Sequence, residues 1–145
     1  MDIKIRKITE ADSKAVFEMM RVFYSSAAVY TNGSDEIFKN DIENCLRDNP
    51  YLEGYVFEST GSVIGYAMAA KSFSTEFGKR CIWIEDLYIK EEYRGYGIGK
   101  TFLDFIEARY ADAILRLEVE EENARAVKLY KGRGFTTLPY MEMKK

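Results

Sequence analysis

Apolar positions recur along this chain with two periods, and the points where one gives way to the other mark its elements. Ile3 and Ile5, followed by Ile8, alternate as on a half-buried strand. Val16, Phe17, Met20 and Phe23 share one face of a helix that Thr9 and Asp12 can cap. A second helix is predicted from Ser34 to Asp48, stopped by Pro50. Residues 52–58 and 62–74 flank Thr60-Gly61-Ser62 as a hairpin, and residues 80–90 form the most apolar strand. A helix over 98–110, a strand over 113–119, a helix over 123–132 and a last strand over 135–143 complete the pattern. The predicted order is β-α-α-β-β-β-α-β-α-β. That order describes an α+β fold with a mixed, largely antiparallel central sheet flanked by helices, as one domain over residues 1–145.

Composition narrows the function chiefly by exclusion. With 145 residues, 47% of them hydrophobic, the chain can bury one good core. A net charge of −3 and a pI near 5.2 argue against nucleic acid or an anionic membrane as the main partner. No apolar run approaches a membrane span, and Met1-Asp2-Ile3-Lys4-Ile5 does not read as a signal peptide, so a cytoplasmic protein is expected. Cys45 and Cys81 lack metal-type or redox-type spacing and read as reduced thiols. There is no histidine. That absence removes Ser-His and Cys-His dyads and histidine-containing zinc sites, and no metal is expected. Acid–base chemistry falls to carboxylates, tyrosines, lysines, backbone groups or water.

The most informative stretch is Arg94-Gly95-Tyr96-Gly97-Ile98-Gly99-Lys100-Thr101, between the most apolar strand and the next helix. Three glycines in five residues allow a sharp turn and close backbone approach, and the helix that follows offers free N–H groups to an anion. Gly99-Lys100-Thr101 looks like the end of a Walker A loop, but Arg94 stands where that loop needs glycine. The dinucleotide pattern fails too, its third glycine falling one position early. Arg94, Gly97 and Gly99 instead match the coenzyme A loop, Arg/Gln-x-x-Gly-x-Gly/Ala, of the GNAT N-acetyltransferase superfamily. Downstream, Asn123-Ala124-Arg125-Ala126 leads into Leu129-Tyr130-Lys131-Gly132-Arg133-Gly134-Phe135, which resembles the family's second hallmark. The two motifs cover roughly residues 80 to 136. Within the superfamily, Ile84-Glu85-Asp86-Leu87-Tyr88-Ile89 is most similar to spermidine/spermine N-acetyltransferases.

The resemblance implies the GNAT fold and direct acetyl transfer from acetyl-CoA to a small-molecule primary amine, such as a polyamine, an aminoglycoside or an amino-acid-like acceptor. It places Glu85 as the acid that takes the amine proton, directly or through water, and Tyr130 near the thioester sulfur as donor to the leaving thiolate. Coenzyme A is expected along Leu87, Tyr88 and Ile89, where two strands splay apart, and at Arg94, Gly95, Tyr96, Gly97, Ile98, Gly99 and Lys100, with Asn123 and Tyr130 nearby. Asp86 reads either as a contact to a cationic substrate or as a structural partner. Two adjacent acids in regular β geometry point to opposite faces, so register alone could turn one to solvent. Asp35, Glu36, Asp41, Glu43 and Asp48 on the second helix mildly favour a cationic acceptor, and a solvated helix face explains them equally. A homodimer is left open. The alternative from another class is a non-catalytic sensor or assembly module that binds coenzyme A or an acyl derivative; retention of both Glu85 and Tyr130 favours the enzyme.

Overall fold

A computed structural model describes residues 1–145. Strand β1 (Lys4–Lys7) leads through a 3-10 turn at Glu10–Asp12 into helix α1 (Ser13–Tyr24). The Thr9 backbone N–H and hydroxyl both donate to Asp12 Oδ2, at 2.8 and 3.0 Å, and Arg6 closes the same carboxylate from the strand side. Helix α2 (Asp35–Leu46) starts at Ser34, whose Oγ accepts the Ile37 N–H. Strands β2 (Leu52–Ser59) and β3 (Ser62–Ser74) meet in a two-residue turn. Thr60 (φ 48°) and Gly61 (φ 80°) both take the left-handed conformation that such hairpins require. Strand β4 (Lys79–Ile89), helix α3 (Ile98–Arg109), strand β5 (Ile114–Leu117) and helix α4 (Ala124–Gly132) follow.

The sheet runs in sequence order, β1-β2-β3-β4-β5, with every pairing antiparallel except β4 with β5. The sheet is therefore mixed and largely antiparallel. One correction concerns the C-terminus: the strand expected over 135–143 does not form, and those residues carry no regular structure. Pro139 lies in the middle of that stretch and has no N–H to give a ladder. β5 is also shorter than the expected 113–119 and offers little edge to extend.

Each face of the sheet buries its own core. Ile82, Ile84, Tyr55 and Phe57 pack against Ile98, Phe102, Leu103 and Ile106 of α3. On the other face, Val56, Tyr66, Met68 and Tyr88 meet Val16, Met19 and Met20 of α1 and Phe38 and Ile42 of α2. Far from β4's C-terminal end, the buried carboxylate of Glu53 accepts from the hydroxyls of Tyr55 and Tyr110, from Arg109 at 3.1 Å and from Lys7 at 2.8 Å. That network ties β1, β2 and the end of α3 together.

Candidate active site

Strand β4 stays in regular register with β3 only as far as Ile84. Ala69 pairs with Ile84 and Met68 with Asp86, so Glu85 is an extra residue with no opposite number. This β-bulge changes what two adjacent acids mean. Ile82, Ile84, Leu87 and Ile89 all belong to the α3-side core, whereas Asp86 bonds to residues of the opposite core and Tyr88 lies in it. The bulge thus brings both carboxylates to the α1–α2 side, where strict alternation would separate them.

The two carboxylates nonetheless sit in different surroundings. Asp86 is 3% exposed and accepts hydrogen bonds from the hydroxyls of Tyr24 and Tyr66, each at 2.7 Å. Burial raises its pKa, and the two phenols pull it back down. Glu85 is exposed and has no hydrogen-bond partner in the chain. Partial desolvation raises its pKa, helped by the charges of Asp86, Glu142 and Asp41. A carboxylate raised in this way is a better proton acceptor at neutral pH than an ordinary one.

Past Ile84 and Leu117 the parallel strands part, so Glu85–Ile89 keeps β3 on one side and has no strand on the other. This open edge is where the expected splay would lie. Leu87 and Ile89 are half-buried against the α3-side core and Tyr88 is buried, which leaves backbone groups on the open side as the available hydrogen-bonding partners. Next comes the glycine loop. Gly95 (φ 86°) and Gly97 (φ 80°) adopt conformations that a side chain would strain, and Gly97 caps α3 with no side chain on the first N–H groups. Gly99 serves packing instead, since a Cβ there would stand 2.8 Å from Leu129 of α4. Arg94 donates from Nε to the Ile89 carbonyl at 2.8 Å and stacks over Tyr88, folding the loop back on the strand end. Tyr96 and Lys100 are exposed and Ile98 is buried. Bare helix N–H groups, two left-handed glycines and open strand backbone fit a ligand with a pyrophosphate and an amide-bearing arm.

On α4, the Asn123 side chain accepts the Ala126 N–H, a helix cap. At the other end Gly134 (φ 92°) lets the Phe135 N–H reach the Tyr130 carbonyl, and the two rings pack edge to face at 5.8 Å. Tyr130 is thereby fixed from behind. Burial raises its hydroxyl to about 12, so it remains a proton donor throughout the neutral range.

Tyr130 and Glu85 line the same cavity, a cleft of about 1630 Å³ that runs along β5 beside Trp83 and Glu85 of β4 and is bounded by α4, Phe23 and Tyr24 of α1, and the C-terminal stretch. Leu87–Ile89, the glycine loop, Asn123 and Asp86 do not line it. Sequence patterns did not point to Tyr24, Glu118, Glu142 or Arg116, which also face the cleft. Arg116 lies on β5 and Glu118 just past its end, and no motif contains either.

A match to the acetyltransferase (GNAT) family spans residues 14–135. The chain belongs to that family. Among curated relatives of this GNAT chain, the thialysine N-epsilon-acetyltransferase of Bos taurus is 31% identical over 156 aligned positions, covering 97% of this chain and 88% of the relative. The spermine/spermidine N(1)-acetyltransferase of Bacillus subtilis is 24% identical over 141 positions, covering 93% and 88%. The fold is shared with a possible acetyltransferase from Clostridium difficile (TM-score 0.82, 19% identity, 99% and 96% coverage). It is shared also with an aminoglycoside N-acetyltransferase solved in complex with CoA (TM-score 0.81, 14% identity, 99% and 94% coverage).

Proposed function

We propose that this GNAT protein transfers the acetyl group of acetyl-CoA to a primary amine of a small cationic molecule. The observation that carries this is that Glu85, just past the end of the β4–β5 ladder, and Tyr130 of α4 line one cleft. The curated relatives, named for acetylation of thialysine and of spermine and spermidine, support an amine acceptor.

In this scheme the ammonium loses a proton to Glu85 and the neutral nitrogen forms a bond to the thioester carbonyl carbon, giving a tetrahedral intermediate. The carbon–sulfur bond then breaks as the carbonyl re-forms, and the nitrogen sheds its second proton to solvent. Tyr130 hydrogen-bonds to the departing sulfur. A phenol at about 12 is a weaker acid than a thiol of ordinary pKa, ~8.5, so its role is stabilising the thiolate more than fully protonating it. The glycine loop, the first turn of α3 and Arg94 hold the pyrophosphate, and the open backbone of Leu87–Ile89 holds the pantetheine arm.

Acidic surroundings support a cationic acceptor. Glu118 is raised to about 7, first by its hydrogen bond with Glu142, then by partial burial, and finally by the charges of Glu142 and Glu85, so three carboxylates crowd one end of the cleft. No helix is long and apolar enough to cross a membrane. A cytoplasmic enzyme with two free thiols, Cys45 and Cys81, able to act as a homodimer, is part of the same proposal. The test is thiol release from acetyl-CoA across a panel of primary amines. Release with at least one is expected, and release with none would overturn the proposal.

A further inference from the structure

Two arginines line the cleft, and only one of them is paired. Arg133 is held by Asp104, whereas Arg116 has no carboxylate or carbonyl partner. It is half-buried on β5, directly paired with Trp83 of β4, and its guanidinium lies over the Trp83 ring at 4.6 Å. Both side chains line the cleft that holds Glu85 and Tyr130. Stacking on an indole fixes the plane of a guanidinium while leaving its N–H edge free for a planar, two-oxygen acceptor.

The position of this cation sets a length. Glu85 lies two residues beyond Trp83 on the neighbouring strand, so the Cα atoms of Arg116 and Glu85 are about 8 Å apart by strand rise and spacing. In a lysine-type amino acid, six bonds of about 1.5 Å in a zigzag separate the carboxyl carbon from the terminal amine, a reach of about 7 Å. That reach matches the spacing of the two positions, with the guanidinium held over Trp83, two residues before Glu85. A simple diamine of the same length would put a second ammonium against the Arg116 cation.

Building on the acetyltransferase assignment above, we propose that Arg116, braced on Trp83, binds the carboxylate of the acceptor and selects ω-amino acids of the lysine type over diamines. The atoms transferred are those already described; Arg116 makes no bond and moves no proton. It acts on specificity.

The matched probes are lysine and 1,5-diaminopentane, which differ only in the carboxylate. The native protein should use lysine with a kcat/KM about 10- to 100-fold above that of the diamine, the difference lying in KM, as expected for a charged hydrogen-bonded pair. Arg116→Gln should reverse or erase that ratio, weakening lysine and improving the diamine, and Arg116→Lys should restore part of it. Trp83 is the only tryptophan, so its fluorescence gives a binding readout independent of turnover. Its emission should respond to lysine, lose the response in Arg116→Gln and change little with the diamine. Equal use of the two probes by the native protein, or an equal loss for both in Arg116→Gln, would overturn the inference while leaving the acetyltransferase intact. Absence of turnover with a retained, Arg116-dependent fluorescence response would do the reverse.

Discussion

The Tyr24 hydroxyl donates its one proton to Asp86 Oδ1 at 2.7 Å, joining the end of α1 to the strand just past the bulge. Tyr24 also lines the cleft beside Glu85, and with its proton committed to Asp86 its oxygen can only accept there. An acceptor-only oxygen beside a carboxylate suits an ammonium group. Tyr24→Phe should therefore raise KM for the amine about 3- to 10-fold and leave coenzyme A affinity as it is. Asp86→Asn should act in the same direction, because an amide cannot accept from both phenols and turns one tyrosine proton elsewhere. Steady-state kinetics varying each substrate separately checks this; an altered KM for acetyl-CoA alone would remove Tyr24 from the amine site.

Glu85→Gln should lower the rate at pH 7 by about 10² to 10⁴, the range of a general base, with coenzyme A binding retained. The loss should shrink at high pH, where more of the amine arrives neutral. In the native protein Glu85 must be ionised to act, and its pKa is raised, so kcat/KM should fall on the acid side from a point above the ordinary carboxylate range. In the glutamine variant the limb set by Glu85 should give way to one that rises with the neutral fraction of the amine. An unchanged pH–rate profile would leave Glu85 as a charge and not a base.

Much of the scaffold was legible because its signals are local. The Thr60-Gly61 turn, the Ser34 cap and the apolar stripe of α1 each depend on neighbours within a few residues. Glu85 and Tyr130 stood out because they sit inside two spaced motifs. The bulge did not: Ile84-Glu85-Asp86-Leu87 reads as ordinary alternation interrupted by a charge, and only pairing with Ala69 and Met68 reveals the extra residue. Tyr24 and Arg116 acquire meaning from partners 62 residues away and on the next strand, Asp86 and Trp83, which no short window contains. The C-terminal stretch reads as a strand by its order after α4, but Pro139 in its middle has no N–H to give a ladder.

Coenzyme A should raise the melting temperature, whereas ATP and NAD should not, since the loop spacing suits neither. Gly97→Val should abolish that shift. Gly97 has φ 80° at the cap of α3, so valine is strained there, and its branches stand over the N–H groups offered to the phosphates. A folded valine variant with normal coenzyme A binding, by thermal shift or calorimetry, would displace the phosphate site from this loop.

Stability should depend on Glu53 in acid. Burial pushes its pKa up, but hydrogen bonds from Lys7, Tyr110, Arg109 and Tyr55 outweigh this and bring it to about 2. A depressed carboxyl pKa stabilises the fold above the unfolded value near 4.5 and loses that effect as pH falls toward 2. The shift corresponds to about 3 kcal/mol. Glu53→Gln should thus be destabilised by roughly this amount at pH 7 and by about half of it or less at pH 3, measured by urea unfolding. An equal deficit at both pH values would make the effect one of packing.

Tyr130→Phe tests one oxygen. The ring stays packed edge to face on Phe135 and the helix end keeps its Gly134 turn, so the variant should fold and bind coenzyme A nearly as well as the native protein. A hydroxyl held at about 12 stabilises the leaving sulfur by a hydrogen bond, and a thiolate of ordinary pKa ~8.5 is already a fair leaving group that water can partly serve. The expected loss in kcat is therefore about 10- to 100-fold, at the low end of acid–base contributions and below that of Glu85→Gln. Thioesters with more acidic thiols should suffer least, because their leaving groups need the least stabilisation. The slope of log kcat against leaving-group pKa should consequently be steeper in the phenylalanine variant than in the native protein. Parallel slopes with full activity would make Tyr130 a packing residue and move the donor to water at the open end of the cleft.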